Sequence, residues 1–130
     1  MKNVIIYTDG GASPNPGPAA IGAVIKDQAG KVVGCISQGI GYATNNEAEY
    51  KAVIAALKMA QKLEAKQVDL RSDSELLVCQ INGQYKVKAA GIRPFYIEAK
   101  QLQEQFDVCT FTHIPRELNE APEYAEIKRK

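Results

Sequence analysis

Histidine and cysteine are scarce in this 130-residue chain. There is one histidine, His113, and three scattered cysteines, Cys35, Cys79 and Cys109, with no CxxC spacing. That poverty argues against a zinc site, which needs a clustered set of nitrogen and sulfur ligands. It argues equally against a disulfide framework, so the cysteines read as the reduced thiols of a cytoplasmic protein. No apolar run approaches the ~20 residues that span a bilayer, and the opening MKNVIIY has no signal-peptide architecture, so no membrane partner is expected. A net charge of only +1 announces no global basic field, so any nucleic-acid partner must be held by local patches. There is no internal repeat, linker or low-complexity segment. What remains is a single domain, residues 1–130, whose apolar share of 45% is enough to bury a real core.

The stretch around which the chain is organised is Val4 to Pro18, VIIYTDGGASPNPGP. Val4–Tyr7 is a short apolar run suited to a sheet interior. It is expected to stop at Asp9, where Gly10 and Gly11 let another backbone approach, and Pro14–Gly17 make a stiff turn. Ala19–Lys26 and Lys31–Gln38 read as two further strands of a hairpin, and Gly39 and Gly41 mark an irregular end or bulge. Thr44 or an asparagine followed by acids reads as a helix start, and the helix is expected to run to about Leu63 or Glu64. Gln67–Ser72 reads as a fourth strand in a right-handed parallel unit. Asp73 or Ser74 then caps a short helix, Glu75–Ile81, closed by Asn82-Gly83. A helix from Phe95 to about Phe106 turns Phe95, Ala99, Leu102 and Phe106 inward. Val108–Ile114 is the fifth strand, and Asn119 to about Lys128 can form a last short helix with Pro122 in its first turn. The order β-β-β-α-β-α-α-β-α describes an α/β domain, a mixed sheet with helices on its faces.

Acids fall at the element ends. Asp9 and Asp73 end strands. Glu49 shares a helix face with Val53, Ala56 and Ala60, so it points toward the sheet, where an unpaired charge is costly. Glu123 starts the last helix. Several carboxylates with one histidine suit hard, oxygen-seeking cations such as Mg²⁺ or Mn²⁺. Two such ions ~3.5–4 Å apart can stabilise both the attacking and leaving oxygens of a phosphodiester displacement. The residues themselves therefore point to metal-dependent phosphoryl chemistry. A rim glutamate at 49 and plain capping at 73 are the structural alternatives.

Four motifs in order resemble type 1 ribonuclease H: Tyr7-Thr8-Asp9-Gly10-Gly11 with Asn15-Pro16-Gly17, then Thr44-Asn45-Asn46-Glu47-Ala48-Glu49, Ser72-Asp73-Ser74, and His113-Ile114-Pro115-Arg116-Glu117-Leu118-Asn119. The resemblance covers essentially the whole chain. It implies a ribonuclease H-like fold, a five-stranded mixed sheet flanked by helices. It also implies a two-metal endonuclease that cuts the RNA strand of an RNA–DNA hybrid, leaving 5′-phosphate and 3′-hydroxyl ends. By the resemblance, the matching acids Asp9, Glu49 and Asp73 would hold two Mg²⁺ ions (Mn²⁺ substituting), with Asp9 bridging them as the family arrangement implies. The family's fourth ligand, usually Asp, falls on Glu123 when counted from Asn119. A slipped count would put Pro122 there. The mobile histidine of the family matches His113.

Reading RNA on one strand requires donors and acceptors aimed at 2′-hydroxyls. Gly11, Asn15, Asn45 and Asn46 suit that work and match positions of the family, and Thr44 with Asn45 lies near the segment that the family uses to hold a DNA-strand phosphate. Lys58, Lys62 and Lys66 form a stripe that reads as a solvated face. Lys86, Lys88 and Arg93 beside Tyr85 and Tyr96 are better placed for backbone contacts. With no separate hybrid-binding domain, modest affinity and strong salt dependence are expected, for a monomer with no obligatory protein partner. The rival reading is a catalytically impaired hybrid-binding module, its cleavage lost through Glu at position 123. A third is a polymerase-associated domain cut from a larger protein.

Overall fold

The computed structural model describes residues 2–122. Its elements are β1 (Asn3–Ala12), β2 (Gly17–Asp27), β3 (Val32–Ala43), α1 (Asn45–Lys62), β4 (Gln67–Ser72), α2 (Glu75–Ile81), α3 (Arg93–Gln103), β5 (Val108–His113) and a 3₁₀ turn, Arg116–Leu118. The strands make one five-stranded sheet in the order β3-β2-β1-β4-β5. β1, β2 and β3 pair antiparallel, whereas β1, β4 and β5 pair parallel, so the sheet is mixed as expected.

β1 lies at the centre, and its period of two sorts its side chains. Val4 and Ile6 join Val68 and Leu70 of β4 in the main core, under Val53, Ala56, Leu57 and Ala60 of α1. Ile5, Tyr7 and Asp9 take the other face, with Lys26 and Val24 of β2 and Asp69 and Arg71 of β4 beside them in register. The α1 face expected from spacing is the buried one, since Val53, Ala56 and Ala60 are fully enclosed. The helix starts where its chemistry says it should. The Thr44 hydroxyl accepts from the Glu47 amide and the Glu47 carboxylate accepts from the Thr44 amide, a reciprocal cap worth about 1 kcal/mol. The lysine stripe is solvated, with Lys58 paired to Glu98.

Some boundaries differ from the sequence expectation. β1 does not stop at Asp9 but runs on to Ala12, and β3 runs on to Ala43. Glycines at 10, 11, 39 and 41 have little strand preference of their own; cross-strand pairs from Asp9↔Gly22 to Ala12↔Ala19, and Gly17↔Ala43, supply it. The irregularity foreseen at Gly39 and Gly41 is present, as a register shift opposite Ala19 and Ala20. α3 starts at Arg93, because Pro94 is accommodated in its first turn. The last helix is not formed over residues 119–122, where Asn119 is extended and its side chain accepts from the Ala121 amide. Residues 123–130, and with them Glu123, lie outside the described residues.

Candidate active site

Strand register brings the first two acids together. The parallel ladder of β1 and β4 ends at Thr8↔Ser72, so Asp9 and Asp73 are the residues that follow the last pair of two neighbouring strands. Asp9 is buried and Asp73 half-buried. Asp73 is not needed as a helix cap. Ser74 caps α2 by accepting from the Leu77 amide, and the Ser72 hydroxyl accepts from the Ser74 amide.

The third acid arrives from α1, through a gap left by a missing side chain. A Cβ on Gly10 would sit 2.8 Å from the Glu49 amide nitrogen and closer still to the Ala48 carbonyl. Without it, the first turns of α1 rest directly on β1, and the Gly10 amide donates to Glu49 Oε1 at 3.0 Å. One carboxylate oxygen from each of Asp9, Glu49 and Asp73 then lies within 4.8 Å of the others.

Such crowding has an electrostatic signature. Burial, first, and the charges of Asp9 and Asp73 push the Glu49 carboxyl well above the usual glutamate range; the Gly10 hydrogen bond and Arg116 pull the other way. The cluster thus gathers more negative charge than its protein surroundings stabilise. Its donors are all hard oxygens, the set that suits Mg²⁺ or Mn²⁺, so the residues present fit a divalent ion.

The acids floor a cleft of about 420 Å³ that His113 and Arg116 also line. His113 ends β5, opposite Ser72, and is exposed. In the sequence Arg116 stands out only as part of a motif, and the structure adds it to the cleft. Its signal was a cation three residues beyond His113, on a loop that has to leave the sheet beside Asp73. Gly11, Asn45 and Asn46 line the same cleft, while Asn15 and Thr44 border an adjoining depression with Gly91 and Ile92. Two of the asparagines also tie elements together. Asn45 Oδ1 accepts from the Ala12 amide at 2.7 Å, and Asn15 Oδ1 accepts from the Asn45 amide at 3.0 Å. Their side-chain oxygens hold the β1–β2 turn against α1.

Comparison with known proteins agrees with this layout. The family model described as reverse transcriptase-like matches residues 7–125. The N-terminal RNase H domain of Rv2228c from Mycobacterium tuberculosis, solved as a fusion with maltose binding protein, superposes with a TM-score of 0.87 at 41% identity, over 90% of each chain. This chain belongs to the ribonuclease H family. Another ribonuclease H, LC11-RNase H1, solved in complex with an RNA/DNA hybrid, gives a TM-score of 0.84 at 43% identity, over 90% of this chain and 88% of that one. The curated Ribonuclease HI of Halobacterium salinarum is 40% identical over 114 residues, 88% of this chain. The chain spans 57% of the halobacterial ribonuclease H and 32% of full-length Rv2228c. No described helix is long and apolar enough to cross a membrane.

Proposed function

We propose that this chain is a divalent-metal-dependent endonuclease that hydrolyses the RNA strand of RNA–DNA hybrids. The observation that carries the reading is the convergence of Asp9, Glu49 and Asp73 from three separate elements within 4.8 Å, in an arrangement that leaves Glu49 repelled by its neighbours. The hybrid in the LC11-RNase H1 structure supports the substrate class.

Asp9, Glu49 and Asp73 would hold the metal, with Glu123 as the fourth ligand in place of the usual Asp. Two bound Mg²⁺ or Mn²⁺ ions would supply a water of lowered pKa and charge neutralisation at the attacking and leaving oxygens, consistent with 5′-phosphate and 3′-hydroxyl ends. The protein's own part is orientation. Gly10 fixes Glu49 through its amide. His113, at the open rim, is placed to take or give a proton near the phosphate, and the Arg116 guanidinium offers it a charged donor. Gly11, Asn15, Asn45 and Asn46 present donors and acceptors where a minor groove with its 2′-hydroxyls would lie, and Thr44 holds the start of α1 beside them. Lys86 and Arg93, beside Tyr85 and Tyr96 at a shallow depression, suit the DNA backbone, with Lys88 exposed nearby. Three free thiols are consistent with a reducing compartment such as the cytoplasm.

The test is cleavage of a labelled hybrid in Mg²⁺ and in Mn²⁺, with Glu123→Ala and Glu123→Asp alongside. Cleavage by the parent that Glu123→Ala loses supports both the activity and the fourth ligand. Binding of hybrid without cleavage by any variant would replace the enzyme with a binding module.

A further inference from the structure

α2 carries the chain about 10 Å from Ser74, the residue after Asp73, to Gln80. Gln80 is only 7% exposed, and amide side chains are mostly found at the surface. A buried amide needs partners. The Tyr50 hydroxyl supplies one, donating to Gln80 Oε1 at 2.8 Å. Tyr50 is itself 1% exposed. Burial, with Tyr96 nearby, pushes its hydroxyl well above the usual tyrosine range, so the proton that it donates is kept. The Gln80 amide is therefore oriented. With Oε1 committed to Tyr50, what Gln80 can bring to its open side is Nε2, a donor group with two N–H bonds.

That open side is a depression of about 390 Å³, which Gln80 lines together with Tyr85, Lys86, Arg93 and Tyr96. Tyr85 donates to Glu75 Oε1 at 3.1 Å, which ties the loop after α2 back to the start of that helix. Lys86 and Arg93 are exposed, so they supply positive charge on long side chains with many rotamers. Gln80 differs from both: it is neutral, buried and held in one orientation.

We propose that Gln80, oriented by Tyr50, donates to one backbone phosphate of the DNA strand and so helps to set the register of the hybrid on the protein. The proposal rests on the functional reading above, which lays the DNA strand along this depression. The cations draw in the strand by releasing its counterions, an attraction that tolerates sliding. A fixed donor at the floor is satisfied only when a phosphate oxygen stops above it, and that contact positions the strand.

The test is hybrid binding by fluorescence anisotropy, without divalent ions, across a salt series. Gln80→Leu should bind about 10-fold more weakly. The slope of log affinity against log salt should not change, since no charge has been removed. Lys86→Ala should instead lessen that slope by about 1. Gln80→Glu keeps an acceptor for Tyr50, and with it the internal hydrogen bond, but turns a carboxylate toward the phosphate. It should bind more weakly than Gln80→Leu. Were Gln80 needed only to hold Tyr50, Glu would be the milder change, and that order would overturn the proposal. A single uncharged methylphosphonate, moved step by step along the DNA strand, should weaken the parent at one position where Gln80→Leu loses nothing further. A sensitive position found only in the RNA strand would overturn the assignment to DNA. A parent that binds hybrid no better than Gln80→Leu does overturns the donor and leaves the functional reading standing. A parent that binds no hybrid overturns both.

Discussion

The two faces of the sheet are made by the same strands and do opposite work. Toward α1, β1 and β4 present Val4, Ile6, Val68 and Leu70, all buried in one apolar cluster. Away from α1 they present Asp69, Arg71 and Asp9, with Tyr7 among them, and Asp73 follows directly on the end of β4. Alternation lets the apolar face hold the strands in register while the other face carries charge at their ends, and the register then decides which charges meet. Glu49 is the exception that joins the two, since it comes from the covered side and reaches the acids where Gly10 has no side chain.

Altering either face should separate these roles. The largest effect belongs to the polar face. Asp9→Asn should abolish hybrid cleavage. It should also stabilise the metal-free protein, because it removes a charge that repels Glu49. A cleavage assay beside a denaturation curve would show the two moving in opposite directions; retained cleavage would sink the assignment. Gly10→Ala tests the junction. Its methyl group has only backbone to displace, so a loss of about 3 kcal/mol, the upper end for overpacking, is expected in urea unfolding, together with loss of cleavage.

The covered face has one flaw. The Thr8 hydroxyl is fully buried and has no hydrogen-bond partner among the described residues. Thr8→Val keeps the shape and removes the unpaired group, so stability should rise by about 1 kcal/mol, read as a higher melting temperature.

The smallest effect lies on the polar face, at Glu120. Its hydrogen bond to Lys26 holds the carboxyl below the ordinary glutamate range, and Arg71 and Tyr7 reinforce that; Lys26 is raised in turn. A depressed carboxyl contributes stability that is present above its unfolded value, about 4.3, and is lost as pH falls through the folded one. The melting temperatures of the parent and Glu120→Gln should therefore differ slightly near neutrality and converge in acid. The pair is exposed, so the difference should also shrink with added salt.

Much of this was readable in the chain. The helix start at Thr44, the inward face of Glu49, Val53, Ala56 and Ala60, and the strand-end positions of Asp9 and Asp73 follow from spacing and capping chemistry alone. Other features depend on partners distant in sequence. Nothing local tells that β1 continues through Gly10 and Gly11, because its pairing with Gly22 to Ala19 supplies the order. Nor does the chain say that Asn15 and Asn45 would use their side-chain oxygens on each other's segments, or that Asn119 would reach back to Thr8. The sequence allows either Asp73 or Ser74 as the cap of α2, and only the folded chain shows that Ser74 fills that role.

The gathering of Asp9, Glu49 and Asp73 from β1, α1 and the end of β4 also bears on how the chain folds. These carboxylates meet only when β1 has paired with β4 and α1 has closed over both, contacts between residues far apart in sequence. Partly folded states that lack the β1–β4 pair present the three acids as separate, weakly interacting groups. An ion that needs all three therefore binds the native state alone, and by mass action acts as a reversible cross-link of that state, tightening the fold as its concentration rises.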